Sequence, residues 1–185
     1  LEVIEDKNLL GEDNNIKTCY SGIFSGNTQT IFKLLKKIKE NKRQREFLLT
    51  DIFSLARKEL FSISLVLAQE NEVMGVNNLY QLSIAEELFQ NKLRKRFLMK
   101  GVAMQDPKTV FFSYDTKISP KVIIGSNNYF GKQVIIKSNV SIGSHNNIEN
   151  TFINEGASVG PFSRLRNQTT IGKNSKIGNF VEIKN

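Results

Sequence analysis

Two cations eighteen positions apart, Arg166 and Lys184, offer the clearest chemistry in this 185-residue chain. Each directly follows a large apolar residue, Leu165 and Ile183. If eighteen residues make one full turn of a coiled chain, the pair stacks on one ridge at about the 4.8 Å sheet spacing. Two exposed cations that close repel by about 1 kcal/mol in water, a cost that an anion between them removes. Arginine grips an anion with two parallel donors, while lysine acts as a point charge. Glu149, one coil below Arg166, supports a plainer account as an exposed ion-pair partner, an interaction worth little.

Other reactive types are sparse. The single histidine, His145, lies in the turn Ser144-His145-Asn146-Asn147 with no ionisable neighbour in sequence, and reads as an exposed turn residue. The single cysteine, Cys19, excludes an internal disulfide and fits a reducing cytoplasm. Asn77-Asn78 reads, by itself, as the turn that enters a helix.

The elements that position the two cations follow from a six-residue rhythm. Apolar residues sit at Ile118, Ile124, Phe130, Ile136, Ile142 and Ile148, then after one step of five at Ile153, Val159, Leu165, Ile171, Ile177 and Ile183. A parallel β-helix of hexapeptides repeats this way, three units to a triangular coil. One column of followers is Gly125, Gly143, Gly160 and Gly178, a corner that needs either a positive φ or no side chain. The column survives the five-residue step, so one coil has lost a residue without losing phase. Small or branched residues recur four places after each inward one, among them Val122, Val134, Val140, Ala157, Ser163 and Thr169. Burial of each branched inward residue contributes about 1.5–3 kcal/mol before entropy.

Ahead of the coils, residues 1–78 read as mixed α/β. Leu1–Glu5, Ile16–Phe24 and Ile63–Leu67 are expected strands. Helices are expected from Asn27 or Thr28 through Ile38, and from Thr50 or Asp51 through Leu60. A long helix follows over 79–101, with Leu82, Ala85, Phe89, Leu93 and Phe97 on one face and Gly101 as its stop. Residues 102–185 are the β-helix, so the helix is the bridge between two domains. The net charge of +8 concentrates in Lys33–Arg45 and Lys92–Lys100, both read as helical. Aromatic interleaving of the kind single-strand binders use is absent, Phe97 being the one aromatic in either stretch, so solvated helix faces are expected and nucleic acid is not. The longest apolar runs are far too short for membrane insertion, and no secretory signal opens the chain.

Several segments together resemble one family. They are Glu72-Val73-Met74-Gly75-Val76-Asn77-Asn78, the long helix, Gly101-Val102 with Asp106-Pro107, Gly160-Pro161-Phe162-Ser163-Arg164-Leu165-Arg166, and Ile177-Gly178-Asn179-Phe180-Val181-Glu182-Ile183-Lys184-Asn185. In this order they are similar to the bacterial bifunctional UDP-N-acetylglucosamine pyrophosphorylase and glucosamine-1-phosphate N-acetyltransferase. The resemblance is loose before Thr50 and tight from Gly75 onward. It implies a partial Rossmann-like nucleotidyltransferase domain, a linking helix and a left-handed β-helix, although the usual crossover rule favours the right hand.

The resemblance also implies two reactions. The β-helix moves acetyl from acetyl-CoA to the amine of glucosamine 1-phosphate, with Arg166 and Lys184 matching the cations that hold the sugar phosphate. The first domain moves a uridylyl group from UTP to N-acetylglucosamine 1-phosphate with Mg2+, giving UDP-N-acetylglucosamine for cell-wall precursors. There Asn77 matches an asparagine that ligates magnesium and contacts the nucleotide sugar, and Glu5 matches a sugar-contacting glutamate. A cytoplasmic homotrimer with acyl sites between subunits is implied.

Departures from the family limit these expectations. Tyr20 stands where the family has an asparagine, and Asn167 where it usually has proline. The glycine-rich nucleotide loop and the aspartate that shares magnesium would precede Leu1. The histidine base for acetyl transfer, and the capping coils a solenoid needs, would follow Asn185. The expectation is therefore a fragment truncated at both ends, inactive by itself, with no catalytic base present. The competing expectation is a non-catalytic remnant or scaffold subunit of a hexapeptide-repeat nucleotidyltransferase.

Overall fold

A computed structural model of the chain describes Val3, residues 18–41 and residues 45–184. The chain divides into two compact units, residues 1–75 and 76–185. No helix among the described residues is long and apolar enough to cross a membrane.

In the first unit, α1 (Thr28–Leu35) begins where the Asn27 side chain accepts the Thr30 N–H at 3.1 Å. α2 (Asp51–Lys58) follows. Leu34, Ile52 and Ala56 are buried together, with Phe24, Ile31, Phe53 and Ile63 packed around them. Glu59 ties the two helices by accepting ion pairs from Lys33 and Lys37.

Two expectations for this unit are corrected. Helix does not run through Lys33–Arg45, because α1 stops at Leu35 and residues 39–45 offer no apolar residue to continue its packed face. The parallel sheet of a Rossmann-like layer is also not seen among the described residues. A strand requires a hydrogen-bonded neighbour, and Ile63–Leu67 and Thr18–Phe24 have none among the described residues. The one β contact among the described residues of this unit is the isolated antiparallel bridge Asn41–Glu46. The rest of the strand expected at Ile16–Phe24, and that at Leu1–Glu5 apart from Val3, lies outside the described residues.

The second unit opens with α3 (Leu79–Met99). The Asn78 side chain accepts the Gln81 N–H at 2.8 Å, and the Gln81 side chain accepts the Asn77 N–H at 2.7 Å. The helix ends in a Schellman turn on Gly101 (φ +83°), with Val102 N–H reaching Phe97 O at 3.1 Å and Gly101 N–H reaching Leu98 O at 3.0 Å. Its buried face differs from the apolar one read from sequence: Gln90 and Arg94 are buried with Leu93 and Phe97, while Leu82 and Phe89 are exposed.

Fourteen short strands follow among the described residues. They are β1 (Ala103–Met104), β2 (Val110–Phe112), β3 (Lys117–Ile118), β4 (Ile123–Ile124), β5 (Asn128–Phe130), β6 (Val134–Ile136) and β7 (Ser141–Ile142). Next come β8 (Asn147–Ile148), β9 (Thr151–Ile153), β10 (Ser158–Val159), β11 (Arg164–Leu165), β12 (Thr169–Ile171), β13 (Lys176–Ile177) and β14 (Glu182–Ile183). Every third strand pairs in parallel, which gives the sheets β1-β4-β7-β10-β13, β2-β5-β8-β11-β14 and β3-β6-β9-β12. This is a parallel β-solenoid. Its first two strands, β1 and β2, lie ahead of the residue where the rhythm begins, because the turn at Pro107–Thr109 stretches the interval from Met104 to Phe112 to eight.

The inward column from Phe112 to Ile171 is buried, and Ile177 and Ile183 are partly so. The five-residue step changes nothing in register, since Ile136 still pairs with Ile153. The glycine column needs room and not a positive φ. A Cβ on Gly160 would stand 2.5 Å from Gly178 O, and one on Gly143 would stand 2.8 Å from Pro161 N. The left-handed backbone falls two residues later, at Asn127, His145, Phe162 and Phe180. Beside the glycines, Asn128 Oδ1 accepts the Asn146 N–H at 3.0 Å and Asn146 Oδ1 accepts the Ser163 N–H at 2.7 Å, so the buried polar column is satisfied coil by coil.

α3 closes the open edge of this stack. The Gln90 amide donates to Phe112 O at 2.8 Å and accepts the Phe112 N–H at 2.9 Å, in the manner of a neighbouring strand. Arg94 Nε donates to Val110 O at 2.9 Å, and its guanidinium lies over Phe111. Phe97 packs on Phe112, which stacks on Phe130. An unpaired strand edge invites pairing with other chains, and here side chains occupy it.

Candidate functional site

Leu165 pairs with Ile183 in the β11–β14 ladder, and Arg166 N–H continues it to Ile183 O at 3.1 Å. Arg166 and Lys184 therefore stand side by side on adjacent coils, each one residue beyond an inward side chain. Arg164 and Glu182 are paired on the other side of those inward residues. The outward surface is a two-by-two array: Arg164 against Glu182, and Arg166 against Lys184.

A diagonal contact crosses the array. Arg166 Nε donates to Glu182 Oε1 at 2.9 Å, with the two side chains 26% and 47% exposed. The Arg166 hydrogen bond and charge hold the Glu182 carboxyl below the usual range, and the charges of Arg164 and Lys184 add to this. Glu149 sits one coil below, its N–H bonded to Leu165 O, and makes no ion pair among the described residues. The acid that pairs with Arg166 is thus Glu182. Because Glu182 takes the Nε edge, the two terminal nitrogens of Arg166 have no partner among the described residues and present the donor pair that suits a phosphate.

The other sequence candidates are not gathered here. Asn77 is exposed at the entry to α3, where its N–H joins the cap and its side-chain oxygen meets no described group. Magnesium requires several oxygen donors, usually with a carboxylate. No group of three His, Cys, Asp or Glu residues is assembled among the described residues, so these residues do not fit the ion. Glu5 lies outside the described residues. The Tyr20 ring packs edge-on against Phe53 at 5.4 Å, and burial pushes its phenol pKa up. His145 is exposed and its ring stacks on Phe162 at 4.8 Å, which stacks on Phe180 at 5.1 Å.

Sequence reasoning missed Glu182 and Arg164 as members of the array. The signal was present: both alternate outward about the same inward residues as Arg166 and Lys184.

Residues 150–185, the segment from β9 to β14, match the bacterial transferase hexapeptide (six repeats) family. Over 183 residues the chain is 39% identical to the bifunctional protein GlmU of Zymomonas mobilis subsp. mobilis, covering 99% of this chain and 41% of that protein. Over 184 residues it is 33% identical to the bifunctional protein GlmU of Bartonella quintana, covering 100% and 41%. The chain is a relative of the GlmU proteins. The Wolbachia pipientis GlmU is 41% identical over 164 residues, covering 89% of this chain and 38% of its own length. The chain thus spans about two-fifths of the length of the GlmU relatives it matches. The matched stretches of the Zymomonas and Bartonella proteins run through both units.

Proposed function

We propose that this chain carries the sugar-phosphate platform of a glucosamine-1-phosphate N-acetyltransferase, part of a bifunctional enzyme that makes UDP-N-acetylglucosamine. The observation that carries this reading is the side-by-side placement of Arg166 and Lys184, with the terminal nitrogens of Arg166 turned free by Glu182. A phosphate on that ridge accepts two donors from Arg166 and a third from Lys184, which fixes one end of the sugar.

With the phosphate held, the sugar amine is left to meet a thioester. Its lone pair attacks the acetyl carbon of acetyl-CoA, the C–S bond breaks, and the proton shed by the nitrogen ends on the departing thiolate, giving the amide and free CoA thiol. Arg166 and Lys184 take no part in that proton transfer; their work is binding and orientation. The reading includes a left-handed coil, a homotrimer with sites between subunits, and a cytoplasmic setting where UTP and acetyl-CoA are found. The uridylyl half, with UTP and with Asn77 and Glu5 toward the nucleotide sugar, belongs to the same reading through the GlmU relatives, and its magnesium needs donors beyond the described residues.

Calorimetry with glucosamine 1-phosphate and glucosamine tests the platform. The sugar phosphate should bind, and Arg166→Ala or Lys184→Ala should each weaken it about tenfold. Equal binding of glucosamine and its 1-phosphate overturns the reading.

A further inference from the structure

Glu182 poses a difficulty for the phosphate clamp. Its carboxylate is bonded to Arg166, and the residue is paired in register with Arg164 and stands two positions before Lys184 in the chain. An anion that takes the terminal nitrogens of Arg166 arrives beside the negative charge already held at Nε of the same guanidinium. Like charges at that separation repel. Something must carry Glu182 while the phosphate is bound.

Arg164 stands opposite Glu182 across the β11–β14 ladder, on the same outward face as the existing ion pair. Among the described residues Arg164 makes no ion pair of its own, and it is exposed, so its side chain is free to swing. Directly opposed residues on parallel strands lie about 4.8 Å apart at the backbone, well within reach of an arginine and a glutamate. Leu165 and Ile183, pointing inward between the two outward columns, hold that geometry fixed.

We propose that Arg164 is a positioning residue that takes over the Glu182 carboxylate when a phosphate monoester engages Arg166 and Lys184. One diagonal ion pair is exchanged for the straight one across the ladder. Glu182 then stays neutralised in both states, and the site keeps Arg166 aligned when empty without paying for it in repulsion when full. This role rests on the reading of Arg166 and Lys184 as a phosphate clamp.

A double-mutant cycle tests it with the full chain, titrated with inorganic phosphate and with glucosamine 1-phosphate. Arg164→Ala should weaken both ligands about threefold, the scale of one exposed ion pair. Arg164→Lys should recover most of that loss. With Glu182→Gln in place, Arg164→Ala should have no further effect, because there is no carboxylate left to carry. The same loss in both backgrounds makes Arg164 a simple attractive charge and overturns the proposal, as does no loss in either. If the unaltered chain binds neither ligand, the clamp itself fails and this role with it. Binding to the unaltered chain with a flat cycle removes the role of Arg164 alone.

Discussion

Arg166 pairs with Glu182 on the coil above it and not with Glu149 on the coil below. The chosen acid lies diagonally across the ladder, at 2.9 Å from Nε. A contact to Glu149 would run down the same column and leave the space between Arg166 and Lys184 unchanged. The diagonal contact instead fixes which edge of the guanidinium faces outward. Half-exposed pairs of this kind contribute little to stability, so their main consequence is orientation and competition.

Glu182→Gln should therefore tighten phosphate binding by about twofold to threefold, since an amide places no negative charge beside the phosphate. Calorimetry with inorganic phosphate reads this directly. A tenfold loss instead would make Glu182 a ligand-contacting group.

Acid should loosen the fold. Glu59 is held low by hydrogen bonds from Lys37 and Lys33, Glu155 by Lys173, and Glu182 by Arg166. Burial alone raises Asp115, but hydrogen bonds from the Gln133 N–H, the Ser113 side chain and its own backbone outweigh it and leave the group lowered. A carboxylate lowered on folding contributes stability above its unfolded pKa, near pH 4, and loses it as pH falls through the folded value. Thermal melts should be level from about pH 7 to pH 5 and fall below about pH 4. A melting temperature that rises on acidification contradicts these ion pairs.

Gly160→Ala should be among the costliest small changes in the chain. Its Cβ would meet Gly178 O at 2.5 Å and Asn179 N at 2.9 Å, both backbone atoms of the next coil. About 2 kcal/mol or more of destabilisation is expected from forcing two coils apart. Gly172→Ala, whose nearest obstacle is the Ser175 hydroxyl at 3.1 Å, should cost far less. Urea denaturation of the two variants should separate them clearly.

Gln90→Ala should expose the lower edge of the solenoid. It strands the Phe112 N–H and C=O, both buried and both bonded to that amide. A loss of about 1–3 kcal/mol is expected, together with increased self-association measured by light scattering. Unchanged stability would show that the edge is satisfied some other way.

The β-solenoid was legible from Ile118 onward because a six-residue period has few structural explanations, and the column of Arg166 and Lys184 followed from it. The opening strands β1 and β2 were not, since the turn at Pro107–Thr109 breaks the count. Gln90 and Arg94 escaped notice because a helix face is read from apolar residues, whereas their polar heads serve a strand edge. Glu182 escaped because stacking was read straight up the column and the ion pair runs across it. Strands in residues 1–75 were the least legible part: local alternation names a candidate, but pairing partners far away in sequence decide whether it becomes a strand.

Phosphorus NMR of glucosamine 1-phosphate, recorded while the chain is added, tests the central claim most directly. The phosphate resonance should shift or broaden with the unaltered protein and stay at its free position with the double variant Arg166→Ala, Lys184→Ala. A resonance that responds equally to both proteins, or to neither, would contradict a phosphate seated between those two cations.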